Sequence, residues 1–574
     1  MLKIKSILVS LLALGAMASC STNELEGEDT RTGADIDAAY MSLRVTLPTE
    51  NARTRAAGTS EEKDPVDNEG DVNSLFVVTF DADEKLVHHS KMKPVVELAP
   101  SDMQATAKGQ GTKNAILVSA KTKYLLVVVN PGALLEARLK ALTAGTLFDD
   151  FNVAVAQTLA GESRKTLVAE IVDAVDGFTM INSGFITSGA WEKGCLLDVT
   201  DNVIKVDGVK IKDESVAKGE AEKDENRATL KIERLSAKVE VNVKDPGLEV
   251  LPTGATFRFE GWVLDYYNST FFPFAEKNTT KSSHTSGFYS NNFYTTDPNY
   301  SNPNHSAGIY KNLLEDRAPQ VVWNGELSTN PGAEKGFEYC IENTMAKEDQ
   351  KFGAATRVVI KAKYAPENYD LDEDWFSFGG ITYKDLAELK QAYADAAAAI
   401  VTKISDLKIA NPTWTDTQAE DAAKAALPVE VLFVEVCDNF LGIVKTTLGA
   451  AGSGITAFAD LNQTEHLDKI SDGGEIVKTS RCIKWYQKAL NYYYYEIRHD
   501  NTDDEYMYLG KYGVVRNNWY SLKLNKVNGA GTPWYPNEGP DEPDPEDPID
   551  EMLGFLAFDI EIAPWVYWET GFEI

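Results

Sequence analysis

Cysteine and histidine are scarce in this chain of 574 residues, which contains 5 cysteines and 6 histidines. Apart from Cys20, the cysteines stand far apart and form no Cys-x-x-Cys pair; they are Cys195, Cys340, Cys437 and Cys482. This spacing disfavours both a zinc site and a thioredoxin-like redox centre. These four cysteines allow more than one disulfide pairing, nothing in the sequence chooses among the pairings, and we favour buried thiols.

Motifs for catalysis and ligand binding are also missing. The chain has no His-Glu-x-x-His and no Gly-x-Ser-x-Gly, and the adjacent His88 and His89 would point to opposite faces of a strand. The glycine-rich stretch at 109–113 fits no phosphate-binding pattern, and the acidic stretches at 370–374 and 500–505 lack the spacing of a calcium hand. We therefore expect no enzymatic activity, no cofactor and no metal.

Positive charge is in deficit, because the formal net charge is −32 and no Lys or Arg follows Lys526. Such a surface repels phosphate backbones and anionic membranes, which argues against nucleic acid as a partner. The segment Glu538–Pro548 is rich in proline and acidic residues, and this composition favours an extended chain over a packed core. We interpret it as a linker that holds the last strand away from its own domain; the alternative is a plain acidic spacer.

Long apolar runs are absent except near the N-terminus, where Ile7–Met17 is too short for a stable membrane span. Lys3 and Lys5 precede this run, and small residues lead from it to Cys20. The pattern resembles a bacterial lipoprotein signal with its lipidation site at Cys20. The alternative is an ordinary signal peptide with a chance cysteine.

The rest of the composition, 43% hydrophobic and 25% charged, is typical of a globular protein. Runs rich in β-branched residues predict strands in both halves, among them Leu75–Phe80, Tyr124–Val129 and Val358–Tyr364. The Ala-rich stretches Lys384–Ile404 and Asp416–Ala426 predict two helices inserted into the second half. We place a boundary near residues 245–247 and expect a mainly β chain with two sandwich-like domains.

Matched strands stand at the two ends of the chain. Near the N-terminus, alternate positions are apolar at Met41, Leu43, Val45 and Leu47; near the C-terminus they are apolar at Leu556, Phe558, Ile560 and Ile562. A small-residue loop with Arg53 and Arg55 follows the first strand. A protease that cuts this loop would open a groove, and the last strand of another copy could fill it.

Four further segments together resemble the Bacteroidales fimbrillins, or type V pilins, and in particular the shaft subunits of minor fimbriae. They are Arg234–Val239, the pair Tyr339–Thr344 and Thr356–Tyr364, and Gly510–Tyr520. The resemblance implies two transthyretin-like β-sandwich domains, export as a lipoprotein with palmitate, and removal of the first strand by an arginine-specific protease. Donor strand exchange follows, in which the last strand fills the groove of a neighbour. The cut carried over from the family lies between Arg55 and Ala56, with Arg53 as the competing site.

The resulting layout is a signal peptide at 1–19, a propeptide with the removable strand at 20–55, sandwich domains at 56–246 and 247–537, and the linker and donor strand at 538–574. The helical insertion lies at about 383–426 of the second domain. The predicted function is that of a structural subunit of a surface fimbria at the outer membrane, supporting adhesion. Its predicted partners are copies of itself, anchor and tip subunits, the protease, and host or bacterial surface ligands. The alternative is a monomeric surface lipoprotein that binds glycans through loop aromatics such as Tyr266, Phe271 and Phe288.

Overall fold

The structure is a computed structural model. It describes residues 37–46, 69–106, 109–156, 171–173, 177–182, 196–207, 209–211, 213–243, 247–268, 270–274, 276–277, 294–300, 310–311, 336–378, 380–428, 431–432, 471–472, 475–476, 483–500, 506–535, 539–540, 542–551 and 556–564.

Short strands form most of the N-terminal half, residues 38–234. They are β1 (Ala38–Met41), β2 (Leu43–Thr46), β3 (Leu75–Phe80), β4 (Val95–Leu98), β5 (Met103–Thr106), β6 (Gly109–Thr112), β7 (Ile116–Ser119), β8 (Tyr124–Val129), β9 (Val155–Ala156), β10 (Val172–Asp173), β11 (Gly177–Phe178), β12 (Met180–Asn182), β13 (Leu197–Asp198), β14 (Ile204–Lys205) and β15 (Ala228–Arg234). The helices of this half are α1 (Ala133–Lys140), α2 (Phe148–Phe151) and α3 (Glu214–Ala221).

The strands β3 and β8 lie in the middle of this half and are buried on both faces. The main sheet runs β4-β3-β8-β12-β15-β2-β6-β5, and β14-β1-β7 form a second sheet. Val77 and Leu125 belong to a core shared with β1, β2 and β7. Phe76 and Val128 belong to the opposite core, which α1 and α2 cover. This two-sided burial explains why the sequences of β3 and β8 are continuous apolar runs without alternation.

The C-terminal half, residues 236–564, is also mainly β. Its strands are β16 (Ser236–Val243), β17 (Glu249–Val250), β18 (Thr256–Asp265), β19 (Tyr267–Asn268), β20 (Thr270–Phe271), β21 (Glu276–Lys277), β22 (Thr295–Thr296), β23 (Tyr310–Lys311), β24 (Phe337–Ile341), β25 (Arg357–Ala365), β26 (Trp375–Phe378), β27 (Ile381–Tyr383), β28 (Ser471–Asp472), β29 (Glu475–Ile476), β30 (Ile483–Tyr486), β31 (Leu490–Glu496), β32 (Asn518–Val527), β33 (Trp534–Tyr535), β34 (Gly539–Pro540) and β35 (Leu556–Pro564).

Two of these sheets face each other across one core. The first runs β17-β32-β16-β24, with β35 on the free edge of β32, and the second runs β18-β25-β31. Val239 and Leu522 from the first sheet share a cluster with Trp262, Ile360 and Tyr493 from the second. A core between two facing sheets is the arrangement of a β-sandwich. The predicted mainly β architecture is confirmed.

Two helices, α4 (Leu386–Ala410) and α5 (Asp416–Ala426), follow β27 at the Ala-rich segments where the sequence predicts helices. The Asp385 side chain caps α4 by accepting a hydrogen bond from the Glu388 backbone N–H at 2.7 Å. Thr415 and Gln418 form a capping box at the start of α5. The buried faces of both helices pack on the aromatic side chains of β26, which fixes the insertion against the sandwich.

The change of sheet between the two halves comes earlier than the predicted boundary at residues 245–247. The strand β15 ends at Arg234 in the N-terminal sheet, and β16 starts at Ser236 and pairs with β24 and β32. The predicted boundary followed the turn residues after β16, but β16 already belongs to the C-terminal core.

Candidate functional site

The segment that the sequence predicts as the first strand consists of β1 and β2, which we together call the first strand. It lies between neighbouring strands on both of its sides. β1 pairs antiparallel with β7 and with β14. β2 pairs antiparallel with β6 and parallel with β15. Main-chain hydrogen-bonding groups along both edges are thereby paired. Removal of this segment would leave an open slot bordered by strands on two sides.

One face of the first strand forms part of the N-terminal core. Ala39, Met41, Leu43 and Val45 are 0, 0, 0 and 3% exposed, and they share one cluster with β3 and β8. The alternating pattern at Met41, Leu43 and Val45 is therefore confirmed. Burying the three larger side chains stabilises the uncut chain by about 5–9 kcal/mol before entropy costs.

The opposite face of the first strand carries polar contacts. The hydroxyl of Tyr40 donates to Oε2 of Glu214 in α3 at 2.8 Å. Arg44 forms an ion pair with Asp224, and the same carboxylate lies 3.6 Å from Nε of Arg227. These contacts join the first strand to the segment that leads into β15.

Glu69, which follows the predicted cleavage loop, is fixed by buried groups from the two halves. Its Oε1 accepts hydrogen bonds from Nζ of Lys238 at 2.7 Å and from the hydroxyl of Tyr339 at 2.5 Å. Its backbone carbonyl accepts from Nε of Arg234 at 2.8 Å. Burial lowers the pKa of Lys238, and the Glu69 carboxylate counteracts that effect. A cut at Arg55 would therefore leave the remaining chain held at Glu69.

The last strand, β35, pairs with the C-terminal sandwich of its own chain. It runs antiparallel along the full length of β32, with Phe558 beside Leu524 and Ile560 beside Leu522 in the register. Among the described strands β35 pairs with β32 alone, so it is an edge strand. The expectation that the linker holds this strand away from its own domain is wrong for the isolated chain. The reason is that β32 offers an exposed edge of matching length and alternation.

The acidic segment before β35 is also docked on the C-terminal half. We call residues 542–551 the acidic strap. Glu542 pairs with Nη2 of Arg357 at 2.6 Å, Glu546 with Nζ of Lys351 at 2.9 Å, and Asp550 with Nζ of Lys511 at 2.8 Å. The sequence predicts an extended segment, but the strap forms a turn, in which the N–H of Asp547 donates to the carbonyl of Asp544 at 3.0 Å, and a 3-10 helix at Ile549–Glu551. Cations of the C-terminal half bind it to the surface.

Backbone contacts add to the charge pairs of the acidic strap. The N–H of Gly353 donates to the carbonyl of Pro545 at 2.8 Å, and the N–H of Ile549 donates to the carbonyl of Gln350 at 3.2 Å. A Cβ at Gly353 would come within 2.6 Å of Cβ of Pro545, so glycine permits the close approach. Ile549 is 5% exposed and packs with Phe352.

Arg357 is the most enclosed of the cations that hold the acidic strap. Its side chain is 1% exposed and lies between the carboxylates of Asp265 and Glu542, with ring centroids of Tyr266 and Tyr494 4.6 and 4.5 Å from its Cζ. Burial lowers the pKa of Arg357, but the two carboxylates outweigh that effect and the pKa is raised. Glu542 of the strap is therefore one member of a buried network of charged groups.

Several predicted residues lie outside the described part of the chain: Cys20, Arg53, Arg55 and Ala56. Lipidation at Cys20 and cleavage at Arg55 therefore stay predictions. The four predicted donor residues of β35 are placed by backbone register.

The loop aromatics that suggested a glycan site are only partly described. Tyr266 and Phe271 are 8 and 2% exposed, so these two rings are not available for stacking on a sugar. Phe288 and Tyr289 lie outside the described residues. Within the described residues there is no helix long and apolar enough to cross a membrane, and no cluster of three metal-ligating side chains.

Sequence reasoning missed Glu69, Arg227 and Arg357. None of them stands in a catalytic or ligand-binding motif, and the chain contains 88 acidic residues and 56 basic ones. A weak signal existed for Arg357, because it stands directly before the apolar run Val358–Ile360, where a buried charge requires a partner.

Two family models match this chain. "Major fimbrial subunit protein (FimA)" matches residues 39–234, from the first strand to the end of β15. "Major fimbrial subunit protein type IV, Fimbrillin, C-terminal" matches residues 484–570, which include β31, β32 and β35. The resemblance to the fimbrillins is confirmed by these matches. No curated protein matches the chain.

Solved structures of candidate cell adhesion proteins are similar to this chain over most of its length. One, from Bacteroides eggerthii DSM 20697, is 12% identical, with 92% of this chain and 97% of that chain covered and a TM-score of 0.35. Two from Parabacteroides distasonis ATCC 8503 are each 11% identical, with 93% and 92% of this chain and 99% of each of theirs covered and TM-scores of 0.39 and 0.38. TM-scores this low do not establish a shared fold.

Proposed function

Because family models of major fimbrial subunits match both ends of this chain, we propose that it is a non-enzymatic structural subunit of a surface fimbria that supports adhesion. One observation carries the assembly step. The first strand is paired on both sides, whereas the last strand is paired on one side. A last strand that moves from the edge of β32 into the slot of a neighbour therefore gains a second row of main-chain hydrogen bonds.

Processing comes before assembly in this proposal. The precursor is exported as a lipoprotein, acylated at Cys20 and brought to the outer membrane. An arginine-specific protease then cuts between Arg55 and Ala56, which leaves the first strand bound by non-covalent contacts alone. The loop is a suitable substrate because small and polar residues surround the two arginines.

Strand exchange then links the subunits. The last strand of one copy enters the slot of the next and places Leu556, Phe558, Ile560 and Ile562 where Met41, Leu43, Val45 and Leu47 were. Burying four large apolar side chains stabilises the junction by about 6–12 kcal/mol before entropy costs. Partners in this scheme are copies of the chain, anchor and tip subunits, the protease, and surface ligands of the host or of other bacteria.

Limited trypsin treatment of the full chain tests the cleavage and the assembly together. We expect the assembled subunits to begin at Ala56 on N-terminal sequencing, and we expect polymers on unboiled gels and in electron micrographs. The variant Arg55→Ala should lose that N-terminus, and Arg53→Ala is the matched control that should keep it. Assembled chains that still begin at Cys20 would contradict release of the first strand and favour a monomeric glycan-binding lipoprotein.

The donor strand is tested by a chain that ends at Glu551. It keeps the acidic strap and loses β35, so it should fold but form no polymer after cleavage.

Lipidation is tested by Cys20→Ala, which should abolish labelling by a fatty acid and display at the cell surface. Full-length polymers from the shortened chain, or unchanged labelling of Cys20→Ala, would contradict the respective steps.

A further inference from the structure

Two buried guanidinium groups share one exposed carboxylate on the polar face of the removable strand. The side chains of Arg44 and Arg227 are 9 and 7% exposed, whereas that of Asp224 is 72% exposed. Asp224 contacts Arg44 directly and lies 3.6 Å from Nε of Arg227. A solvated carboxylate compensates a buried cation poorly, because water screens its charge.

The other contacts of Arg227 are backbone carbonyls. Its Nη1 donates to the carbonyl of Thr112 at 2.8 Å and approaches that of Leu43 at 3.5 Å, and its Nη2 donates to the carbonyl of Glu222 at 3.3 Å. The Leu43 carbonyl leaves with the first strand when the slot opens. Arg44, the neighbouring like charge, leaves with the same strand. The emptied slot therefore presents Arg227 toward an incoming strand, with the exposed Asp224 as its remaining carboxylate.

The space beside Arg227 suits a short acidic side chain at the position of Arg44. Arg44 is paired with Gly111 of β6 in the register. A Cβ at Gly111 would lie 3.3 Å from Nη1 of Arg227, so the guanidinium occupies the room that a cross-strand side chain would take. Cross-strand partners have Cβ atoms about 5 Å apart. A short acidic side chain at position 44 would therefore lie on the same face of the sheet as this guanidinium and extend toward it.

The last strand carries an acid at the matching place. Arg44 is the midpoint of Met41, Leu43, Val45 and Leu47, and Asp559 is the midpoint of Leu556, Phe558, Ile560 and Ile562. Superposing the two sets puts Asp559 at the position of Arg44 whether the strand enters parallel or antiparallel. A slide by two residues would place Ala557 or Glu561 there instead.

We propose that Arg227 is the residue that sets the register of the incoming strand, by binding the carboxylate of Asp559 from a second copy of this chain. This inference rests on the proposed strand exchange. The propeptide strand presents a cation at this position, which pairs with Asp224, whereas the donor strand presents an anion, which pairs with Arg227. Only the register that buries all four apolar side chains also brings Asp559 to Arg227.

The test compares full-length chains with Asp559→Asn or Glu561→Asn, each cut by trypsin and allowed to polymerise. Both variants remove one negative charge from the same strand, so Glu561→Asn is the matched control. We expect Asp559→Asn to speed dissociation of the polymers in warm detergent by about tenfold, because it removes a buried charge-assisted hydrogen bond. Glu561→Asn should change this rate by less than about threefold.

A second arm measures the coupling of the pair. In chains that carry Arg227→Gln, the change Asp559→Asn should have no further effect on the dissociation rate. The variant Asp559→Asn leaves the acceptor slot unaltered, so the comparison of Asp559→Asn with Glu561→Asn tests the proposal even where Arg227→Gln folds poorly. Equal effects of Asp559→Asn and Glu561→Asn would overturn the register assignment while the proposed function holds. Absence of any polymer from the parent chain would overturn both.

Discussion

The two end strands of this chain have the same length and alternation but occupy different positions. The first strand is enclosed by partners on both sides, and its apolar side chains form part of a core. The last strand pairs with β32 along a single edge. The strand that the proposal discards is therefore the more firmly placed of the two, and the strand that it moves is the more weakly placed. In the proposed function this difference would make cleavage the controlling step, because the slot would stay filled until the first strand is cut.

The largest expected effect comes from an acidic residue placed in each strand of the uncut chain. We expect Leu43→Asp to lower the free energy of unfolding of the N-terminal half by at least about 4 kcal/mol, because it buries a charge in an apolar core. We expect Ile560→Asp to cost much less in the uncut monomer and to abolish polymers after cleavage. Urea unfolding and unboiled gels measure the two results. Equal losses of stability in the two variants would break the comparison.

The second prediction concerns the pH dependence of unfolding of the C-terminal half, which contains Glu496. Burial raises the pKa of Glu496, which pairs with Arg357 in the register, to about 7, whereas its usual value is 4.5. Because the pKa of Glu496 is higher in the folded state than in the unfolded state, Glu496 contributes to the free energy of unfolding. This contribution is fully present below pH 4.5 and is lost as the pH rises through 7. The loss amounts to about 3 kcal/mol.

The variant Glu496→Gln should remove this loss, so that unfolding of the C-terminal half depends less on pH between 5 and 8. The exposed Glu348→Gln is the matched control and should leave the pH dependence as it is. An unchanged pH profile in Glu496→Gln would assign the dependence to another group.

A third prediction concerns the acidic strap. Glu542 pairs with an Arg357 side chain that is 1% exposed, whereas Glu546 pairs with a Lys351 side chain that is 26% exposed. We expect Glu542→Gln to loosen the strap by about 2 kcal/mol and Glu546→Gln by less than about 0.5 kcal/mol. Hydrogen exchange of the Ile549 amide reports the opening. Similar exchange in both variants would mean that burial of Arg357 does not strengthen its pair.

A smaller effect than that of Glu542→Gln is expected from Gly353→Ala, which changes no charge. Its Cβ would meet Pro545, so we expect the strap to shift at a cost of about 1 kcal/mol. The same amide exchange measures it, and Gly336→Ala is the control, because a Cβ at Gly336 has no neighbour within 4 Å. Unchanged exchange in Gly353→Ala would show that the strap is held by its charges and not by close backbone approach.

The strands and helices were predictable where one face or both faces are buried. The continuous apolar runs of β3 and β8, the alternation at Met41, Leu43 and Val45, and the Ala-rich segments of α4 and α5 all reflect local periodicity. Periodicity depends on neighbours in sequence, so a single chain reveals it.

The docking of the last strand and of the acidic strap was not predictable in this way. Composition predicts an extended chain at residues 542–551, whereas the strap contains a turn and a 3-10 helix, and composition says nothing about which distant cations it meets. Lys351, Arg357 and Lys511 are far from the strap in sequence, and each stands among many charges in the chain. The polar contacts of Glu69 and Arg227 depend in the same way on tertiary placement and leave no local pattern.

The anchored strap limits how far the last strand can travel. Asp550 is held by Lys511 and by the hydroxyl of Tyr512, the latter at 2.6 Å. From Asp550 to Leu556 a fully extended chain spans at most about 20 Å. While this anchor holds, the slot of the next subunit must open within that radius, so successive subunits have to abut closely. The distance between successive subunits along a shaft would then be fixed by the dimensions of the folded subunit. The filament would resist stretching as a rigid rod does, because no long flexible linker joins its subunits.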